Sequence, residues 1–506
     1  MITSVNPATG EERILDVAET TAEEVAAICE LARRATREIA TRPLLWRASM
    51  LRTMADALEE SGENIVAAAD FETALGRARL EGELRRTSFQ LRFFADVVED
   101  TMFLGASIDH ATDSPMGPLA DMRRLRVPLG AVAVFGSSNF PLAFSVPGGD
   151  TASALAAGCA VVVKAHPAHP HTSALCAAAL AEGARRVGAP DGTLEVVYGF
   201  AAGTALVSDE NIAAVGFTGS LAAGQALWRL ANERREPIPF YGELGSANPL
   251  VVTSAAARAR AREIGAGAAA SMTLGVGQFC TKPGLLFVPE GADGDALVES
   301  LVESLTVSPT FTMLTSAIAA HFREGVSRIG AHHDVVALVA PAPDAGTTVR
   351  AQLYGVEARV FASDAARDLR EECFGPLAIV VRYAGREDLF DALGAASASL
   401  TMSVFAEADD PDAADLVEHG ATRAGRVIVN AFPTGVGVSW SMHHGGPWPA
   451  TTAPLATSVG AAGIERWLRA VTYQSVPGAL LPAPLREENP WGVARRVDGV
   501  LTAKPA

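Results

Sequence analysis

Along the first hundred residues, apolar positions recur every third or fourth residue, the spacing of amphipathic helices. In LWRASMLRTMADALEESGENIVAAA, Leu51, Met54, Ala55 and Leu58 share one face, and helices are expected over residues 21–98. From residue 125 the period changes. The short β-rich runs AVAVFG, CAVVVKA, LEVVYG, AAVGFTG and NPLVVT alternate with Ala-rich helical segments. That order predicts a doubly wound parallel sheet. A second alternating series follows Cys280, with LLFVP, a helix, and strands near 335–339, 378–383 and 427–430. It predicts a second α/β lobe. The Gly/Pro-rich stretch 431–454 reads as an ordered loop, and VTYQSV near the end reads as a strand that leaves its lobe and pairs elsewhere.

A chain of 506 residues exceeds what one simple core organises, so two or three lobes are expected. With 49% hydrophobic and 20% charged residues it is not a disordered chain. The net charge of −17 argues against a nucleic-acid partner, because a phosphate backbone needs a basic face and no run of Lys and Arg supplies one. Cysteines stand at 29, 159, 176, 280 and 373, odd in number, widely spaced and without a CxxC pair. Neither a disulfide framework nor a metal site is expected, and a reducing cytoplasm fits. The start MITSVNPATGEE lacks the pattern of a signal peptide. The apolar run 154–163 contains Gly158 and ends at Lys164. It is about half the length of a membrane span, so no membrane association is expected.

Cys280 lies in GVGQFCTKPG, after a helix expected over 255–274 and ahead of a strand. Backbone N–H groups in such a Gly-rich loop can lower a thiol pKa and hold an oxyanion. Thiolate attack on an aldehyde gives a thiohemiacetal, which loses hydride to a nicotinamide and leaves a thioester. A lone cysteine is more often an inert core residue, so the reading depends on its company. Glu243 in GELGSANPLVV, on a short turn between two strands, offers a base for the water that hydrolyses the thioester. Asn139 in VFGSSNFPLAF, at a strand's end, offers an oxyanion donor. Taken singly, a surface glutamate and a plain Asn-Phe-Pro turn account for them equally well.

The cofactor signals differ in kind. GFTGSLAAG follows a strand and opens a helix over 221–234, placing Gly219 and Ser220 where free N–H groups favour a pyrophosphate. The spacing is not G-x-G-x-x-G. VVVKAHPAHPHTS places Lys164 at a strand end, within reach of an adenosine ribose. No acid follows within ten positions to repel a 2′-phosphate, which favours or at least permits NADP. REECFGPL offers Glu372 for a ribose and Phe374 for the nicotinamide end.

In this order, Asn-Phe-Pro, Val-Lys, Phe-Thr-Gly-Ser, Glu-Leu-Gly, Gly-Gln-x-Cys and Glu-Glu-x-Phe-Gly-Pro resemble the aldehyde dehydrogenase superfamily over nearly the whole chain. The resemblance implies a Rossmann-like dinucleotide-binding domain (1–120 and 131–250), an α/β catalytic domain (251–440) and an oligomerisation β-extension (121–130 and 467–485). It makes Cys280 the nucleophile, Glu243 the general base and Asn139 the oxyanion donor. Lys164, His166, Gly219, Ser220, Glu372 and Phe374 become cofactor contacts, and a homodimer or homotetramer is implied.

KAHPAHPHTS, GQFCTKPG, HHGGPWPATT and the tail resemble the branch of α-ketoglutaric semialdehyde (2,5-dioxopentanoate) and NADP-dependent fatty aldehyde dehydrogenases. Pro167 stands where the NAD-preferring branch has a glutamate, consistent with NADP. Lys282 replaces the branch's asparagine, and His443 its glutamine in Gln-His-Gly-Gly. A CoA-acylating relative would not need Glu243, and a non-catalytic one would not keep Cys280. Two substrates stay open. A carboxylated semialdehyde needs a cation at the tunnel mouth, with Lys282, Arg124 and Arg47 as guesses. A fatty aldehyde needs an apolar funnel, with Phe140, Phe144, Phe279, Trp440 and Trp448 as candidates.

Overall fold

The computed structural model describes residues 1–339 and 345–503. The helical period of the first hundred residues becomes four helices, Ala22–Thr41, Leu44–Glu60, Gly62–Thr73 and Arg77–Asp100. Thr21 starts the first with a capping box. Its hydroxyl accepts from the Glu24 backbone N–H, and the Glu24 carboxylate accepts from the Thr21 N–H.

The first sheet has five parallel strands, in the spatial order Phe240–Glu243, Ile212–Thr218, Ala131–Phe135, Val161–Lys164 and Leu194–Val197. The chain begins it in the middle, builds outward to one side, then returns to build the other. The order reverses between Ala131–Phe135 and Ile212–Thr218, where a crevice opens outside the carboxyl ends of the strands. These strands are largely apolar because both faces are covered, with Lys164, Thr218 and Glu243 at their carboxyl ends. Val132, Val134, Val161 and Val163 pack into one layer with Leu155 and Leu180. Ala131, Ala133, Phe135 and Val162 pack into the other with Ile39 and Leu206.

The second sheet has seven strands, in the order Val336–Val339, Gln352–Glu357, Leu377–Tyr383, Leu285–Pro289, Pro249–Val252, Ser399–Phe405 and Ala424–Val429. Only Val336–Val339 runs antiparallel to its neighbour. The run NPLVVT thus sits inside the second sheet instead of closing the first series. Glu243 also differs from its expected turn position, being the last residue of a strand. The weak strand formers Gly242 and Glu243 hid that strand. Buried Gln352, Ser399, Thr401 and Ser403 similarly hid Gln352–Glu357 and Ser399–Phe405.

Residues 244–248 join the sheets. The chain leaves the first at its carboxyl edge and enters the second at its amino edge. A third sheet brings Leu468–Gln474 antiparallel to Met122–Pro128, the partner VTYQSV lacked in sequence. Ala106–Asp109, Arg495–Val497 and Val500–Thr502 extend it. No helix among the described residues is long and apolar enough to cross a membrane.

Trp467, fully buried, locks this third sheet to the first. Its indole N–H donates to the Ser153 hydroxyl at 2.8 Å, and its ring meets Tyr241 edge-on at 5.6 Å. Trp467→Ala should therefore cost about 3–5 kcal/mol, read as a lower midpoint of chemical denaturation. A loss under about 1 kcal/mol would show that this contact does not join the two sheets.

Candidate active site

The carboxyl edge of the first sheet faces the amino edge of the second, and the predicted catalytic residues meet between them. The helix Ser254–Thr273 ends in a turn, Leu274–Gly277, where Gly275, Val276 and Gly277 are all left-handed, with φ of 57°, 66° and 65°. At Gly277 a Cβ would lie 2.5 Å from the backbone of Gly375 and Pro376, so only glycine allows the loops to touch. This reversal delivers Cys280 half-buried into the crevice, while the other four cysteines are buried.

Cys280 Sγ lies 3.5 Å from His444 Nε2, which lies 3.0 Å from Glu243 Oε1. The Ser458 hydroxyl donates to the other Glu243 oxygen at 2.7 Å. A carboxylate only accepts, so His444 Nε2 carries the proton of that contact. His444 Nδ1 is buried without a hydrogen-bond partner among the described residues. The His444 backbone N–H donates to Thr457 Oγ1 at 2.7 Å, fixing the loop that presents the ring. Sulfur, imidazole and carboxylate offer ligand atoms within 4.8 Å of one another, a spacing these hydrogen bonds explain.

Asn139 is buried beside the same loop. Its Nδ2 donates to the Gln278 carbonyl, two residues before Cys280, at 2.8 Å, and keeps a second N–H beyond that bond. Burial pushes the Glu243 carboxyl up, but the His444 contact and the Ser458 and Cys280 hydrogen bonds more than offset it. Its pKa falls below the ordinary value. The Cys280 thiol goes the other way, well above its usual value. Burial raises it most and the Glu243 charge adds to this, with Arg426 opposing. The resting enzyme thus holds a thiol beside a carboxylate, in contrast to the depressed thiol pKa that the Gly-rich loop suggested.

The predicted cofactor residues come from the carboxyl edge of the first sheet and from the loop before Leu377. Lys164 ends its strand, three strands over from that of Glu243, with Nζ 4.9 Å from the Phe200 ring. Burial lowers its pKa to about 8, opposed by the Glu19 charge. His166 stacks near His169 at 5.5 Å, and burial, followed by the charges of His169 and Lys164, holds its pKa well below the usual value. Gly219 and Ser220 are exposed at the start of the helix Leu221–Glu233, whose first turn Ser220 caps through Ala223 N. That open helix N-terminus at the reversal of strand order, with a lysine two strands away, fits a dinucleotide. Glu372 reaches Gly245, where a Cβ would meet its Oε2 at 2.8 Å. Burial, opposed by Lys282, raises it to about 7. Phe374 is half-buried two residues on.

The three guesses for a cation at the mouth do not reach it. Lys282 is buried behind the loop, donating to the carbonyls of Cys373 (3.0 Å) and Leu377 (2.6 Å). Arg124 lies in the third sheet, and Arg47 is buried against the Ala156 carbonyl. Phe140 contacts Phe144 and Phe279 edge-on, at 5.3 and 5.0 Å. Trp440 packs instead on Phe93, and Trp448 on Trp228.

His444, Ser458 and Asn248 escaped the sequence reading. His444 and Ser458 come from distant segments, with HHGGP, noted for His443, as the signal for His444, while Asn248 lies inside GELGSANPLVV, where only Glu243 was given a role.

The model of the aldehyde dehydrogenase family matches residues 1–448. The chain belongs to that family. The enzyme is 44% identical over 478 residues to alpha-ketoglutaric semialdehyde dehydrogenase 2 of Azospirillum brasilense, across 93% of this chain and 90% of that one. It is 39% identical over 460 residues to the alpha-ketoglutaric semialdehyde dehydrogenase of Acinetobacter baylyi, across 90% and 87%. The crystal structure of an E. coli NADP dependent enzyme shares the fold, with a TM-score of 0.78, 24% identity and 94% of each chain covered. This aldehyde dehydrogenase is accordingly an oxidoreductase that acts on aldehydes, in a family that uses NAD(P).

The raised thiol pKa has a direct consequence. In the cofactor-free enzyme the thiolate fraction is small at neutral pH, so alkylation of Cys280 by iodoacetamide should climb about tenfold per pH unit from pH 7 to 9. A plateau below pH 8, read by peptide mass spectrometry, would contradict it.

Proposed function

We propose that this aldehyde dehydrogenase oxidises α-ketoglutaric semialdehyde to 2-oxoglutarate, with NADP as the favoured cofactor and NAD accepted. The observation that carries the mechanism is the contact of Cys280 with His444 and Glu243 across the two sheet edges. Cys280 attacks the aldehyde carbon, and its proton passes directly to the Glu243 carboxylate, with which the thiol is hydrogen-bonded. The second N–H of Asn139 and the Cys280 backbone N–H hold the oxyanion. Lys164, Gly219 and Ser220 would hold NADP, which would supply the hydride acceptor for oxidation of the cysteine adduct to a thioester. Glu243 then gives up the thiol proton to solvent, its ionised form favoured by His444 and Ser458, and takes a proton from the water that hydrolyses the thioester and frees Cys280.

The residues assigned to cofactor binding are Lys164, His166, Gly219, Ser220, Glu372 and Phe374. A lysine with no acid nearby in sequence supports a 2′-phosphate, Pro167 standing at the position three on. In this reading residues 1–120 and 131–250 bind the dinucleotide and 251–440 carry catalysis. The third sheet serves assembly into a homodimer or homotetramer. Its outer strand, Leu468–Gln474, is an edge with alternate residues exposed, the form that pairs with another chain.

The names of the two relatives support the semialdehyde. The cluster of Phe140, Phe144 and Phe279 favours a second reading, a medium- or long-chain aliphatic aldehyde. Initial rates of reduced-nicotinamide formation decide between them, with NADP and NAD each tested on α-ketoglutaric semialdehyde, a short aldehyde and a long-chain aldehyde. The proposal expects the highest kcat/KM for the semialdehyde with NADP, and no turnover in Cys280→Ala. A long-chain preference moves the assignment to fatty aldehydes, and full activity in Cys280→Ala overturns the mechanism.

A further inference from the structure

Three arginines from both halves of the chain converge on the rim of the crevice. Arg79 and Arg86 stand seven residues apart, two turns along one face of the helix Arg77–Asp100. Arg426 comes from the strand Ala424–Val429. Arg86 Nη2 donates to the Val436 carbonyl at 3.2 Å, and Arg426 donates to Gly435 (3.1 Å) and Pro433 (2.7 Å), so both hold one short loop segment. The Arg86 guanidinium lies 4.9 Å from the Phe144 ring, and that ring lies 6.4 Å from the His444 imidazole. Arg79 lies 5.2 and 5.1 Å from the rings of Phe140 and Phe279, the latter the residue before Cys280.

Each guanidinium keeps a buried nitrogen without a hydrogen-bond partner: Nη1 of Arg79, Nη1 of Arg86 and Nε of Arg426. None of the three forms an ion pair among the described residues. The acid nearest to Arg79 and Arg86 is Glu83. One of its oxygens accepts the Leu142 and Ala143 N–H groups, both at 2.9 Å, and burial pushes its carboxyl up. It thus opposes the three cations with one charge at most. Burial disfavours the Arg79, Arg86 and Arg426 cations, opposed at Arg79 and Arg86 chiefly by Glu83. Desolvated guanidinium donors left unpaired are costly, and a planar fork of N–H groups matches a carboxylate.

We propose that Arg86, with Arg79 and Arg426 beside it, receives the distal carboxylate of the substrate and selects aldehydes that carry an acid group at their far end. This rests on the assignment of the reaction centre to Cys280. The phenylalanines that suggested an apolar funnel then serve as the wall that keeps the arginines dry and in place.

The test separates anion recruitment from a mere effect on the thiol. Alkylation of Cys280 is measured with iodoacetate, an anion, and with iodoacetamide, its neutral analogue, in the wild type and in Arg86→Gln. The iodoacetate-to-iodoacetamide rate ratio should fall about tenfold in the variant. Equal slowing with both reagents, or no change in the ratio, overturns the proposal. In turnover, the kcat/KM ratio of α-ketoglutaric semialdehyde to pentanal should fall about 100-fold, through KM. A fall carried by kcat alone for both aldehydes overturns it. If wild-type enzyme prefers pentanal while the alkylation ratio still falls, the substrate assignment fails and the anion site stands. On the wild type alone, glutarate should protect Cys280 from iodoacetamide and pentanamide should not, and equal protection by both counts against the site.

Discussion

The fully buried side chain of Asn248 ties the segment that joins the two sheets to the second sheet and to the loop that carries Cys280. Its amide donates to the carbonyls of Cys280 (2.7 Å) and Lys282 (2.9 Å), while its oxygen accepts from the Ser246 hydroxyl and from Thr401. It stands in the left-handed region, with φ of 47°, at the end of the segment 244–248 that crosses between the sheets. Glu243 precedes this crossing and Pro249–Val252 follows it. The position of the carboxylate relative to the sulfur is therefore set by one short piece of backbone and one amide. A loop nucleophile placed in this way does not depend on the loop's own flexibility.

The electrostatics follow from that placement. Water is largely excluded, so each charge counts for more than it would at a surface. Glu243 is held below the ordinary carboxyl range because His444 and Ser458 face it, and burial, with the Glu243 charge added, raises the Cys280 thiol. The site stores a proton on sulfur beside a base that can take it. Lys282, which looked like a departure at the substrate mouth, lies behind the loop and joins it to the Cys373–Leu377 segment. From there it offsets the burial that raises Glu372.

Much of this was legible in the sequence because it is local. Ala131–Phe135 and Val161–Lys164 announce themselves as buried parallel strands, and Ser220 sits at the helix start its type favours. Cys280, Glu243 and Asn139 were readable as an ordered set of motifs, and the structure brings all three to one crevice. What the sequence hid is what depends on tertiary contact. Strand Ser399–Phe405 carries three buried hydroxyls that read as polar surface. His444 lies 164 residues beyond Cys280, and no periodicity links the two. The arginines at positions 79 and 86 look in sequence like solvent-facing helix charges, and only packing against Phe140, Phe144 and Phe279 turns them inward.

The account stands or falls on a covalent intermediate at Cys280 that Glu243 helps to hydrolyse. The most direct measurement is mass spectrometry of Glu243→Gln after mixing with α-ketoglutaric semialdehyde and NADP, followed by acid quench and peptide mapping. The account predicts an acyl adduct on the peptide containing Cys280, formed with about one equivalent of reduced cofactor and accumulating because hydrolysis is slowed. An adduct on another cysteine, or reduced cofactor formed in stoichiometric burst with no adduct at Cys280, would contradict it.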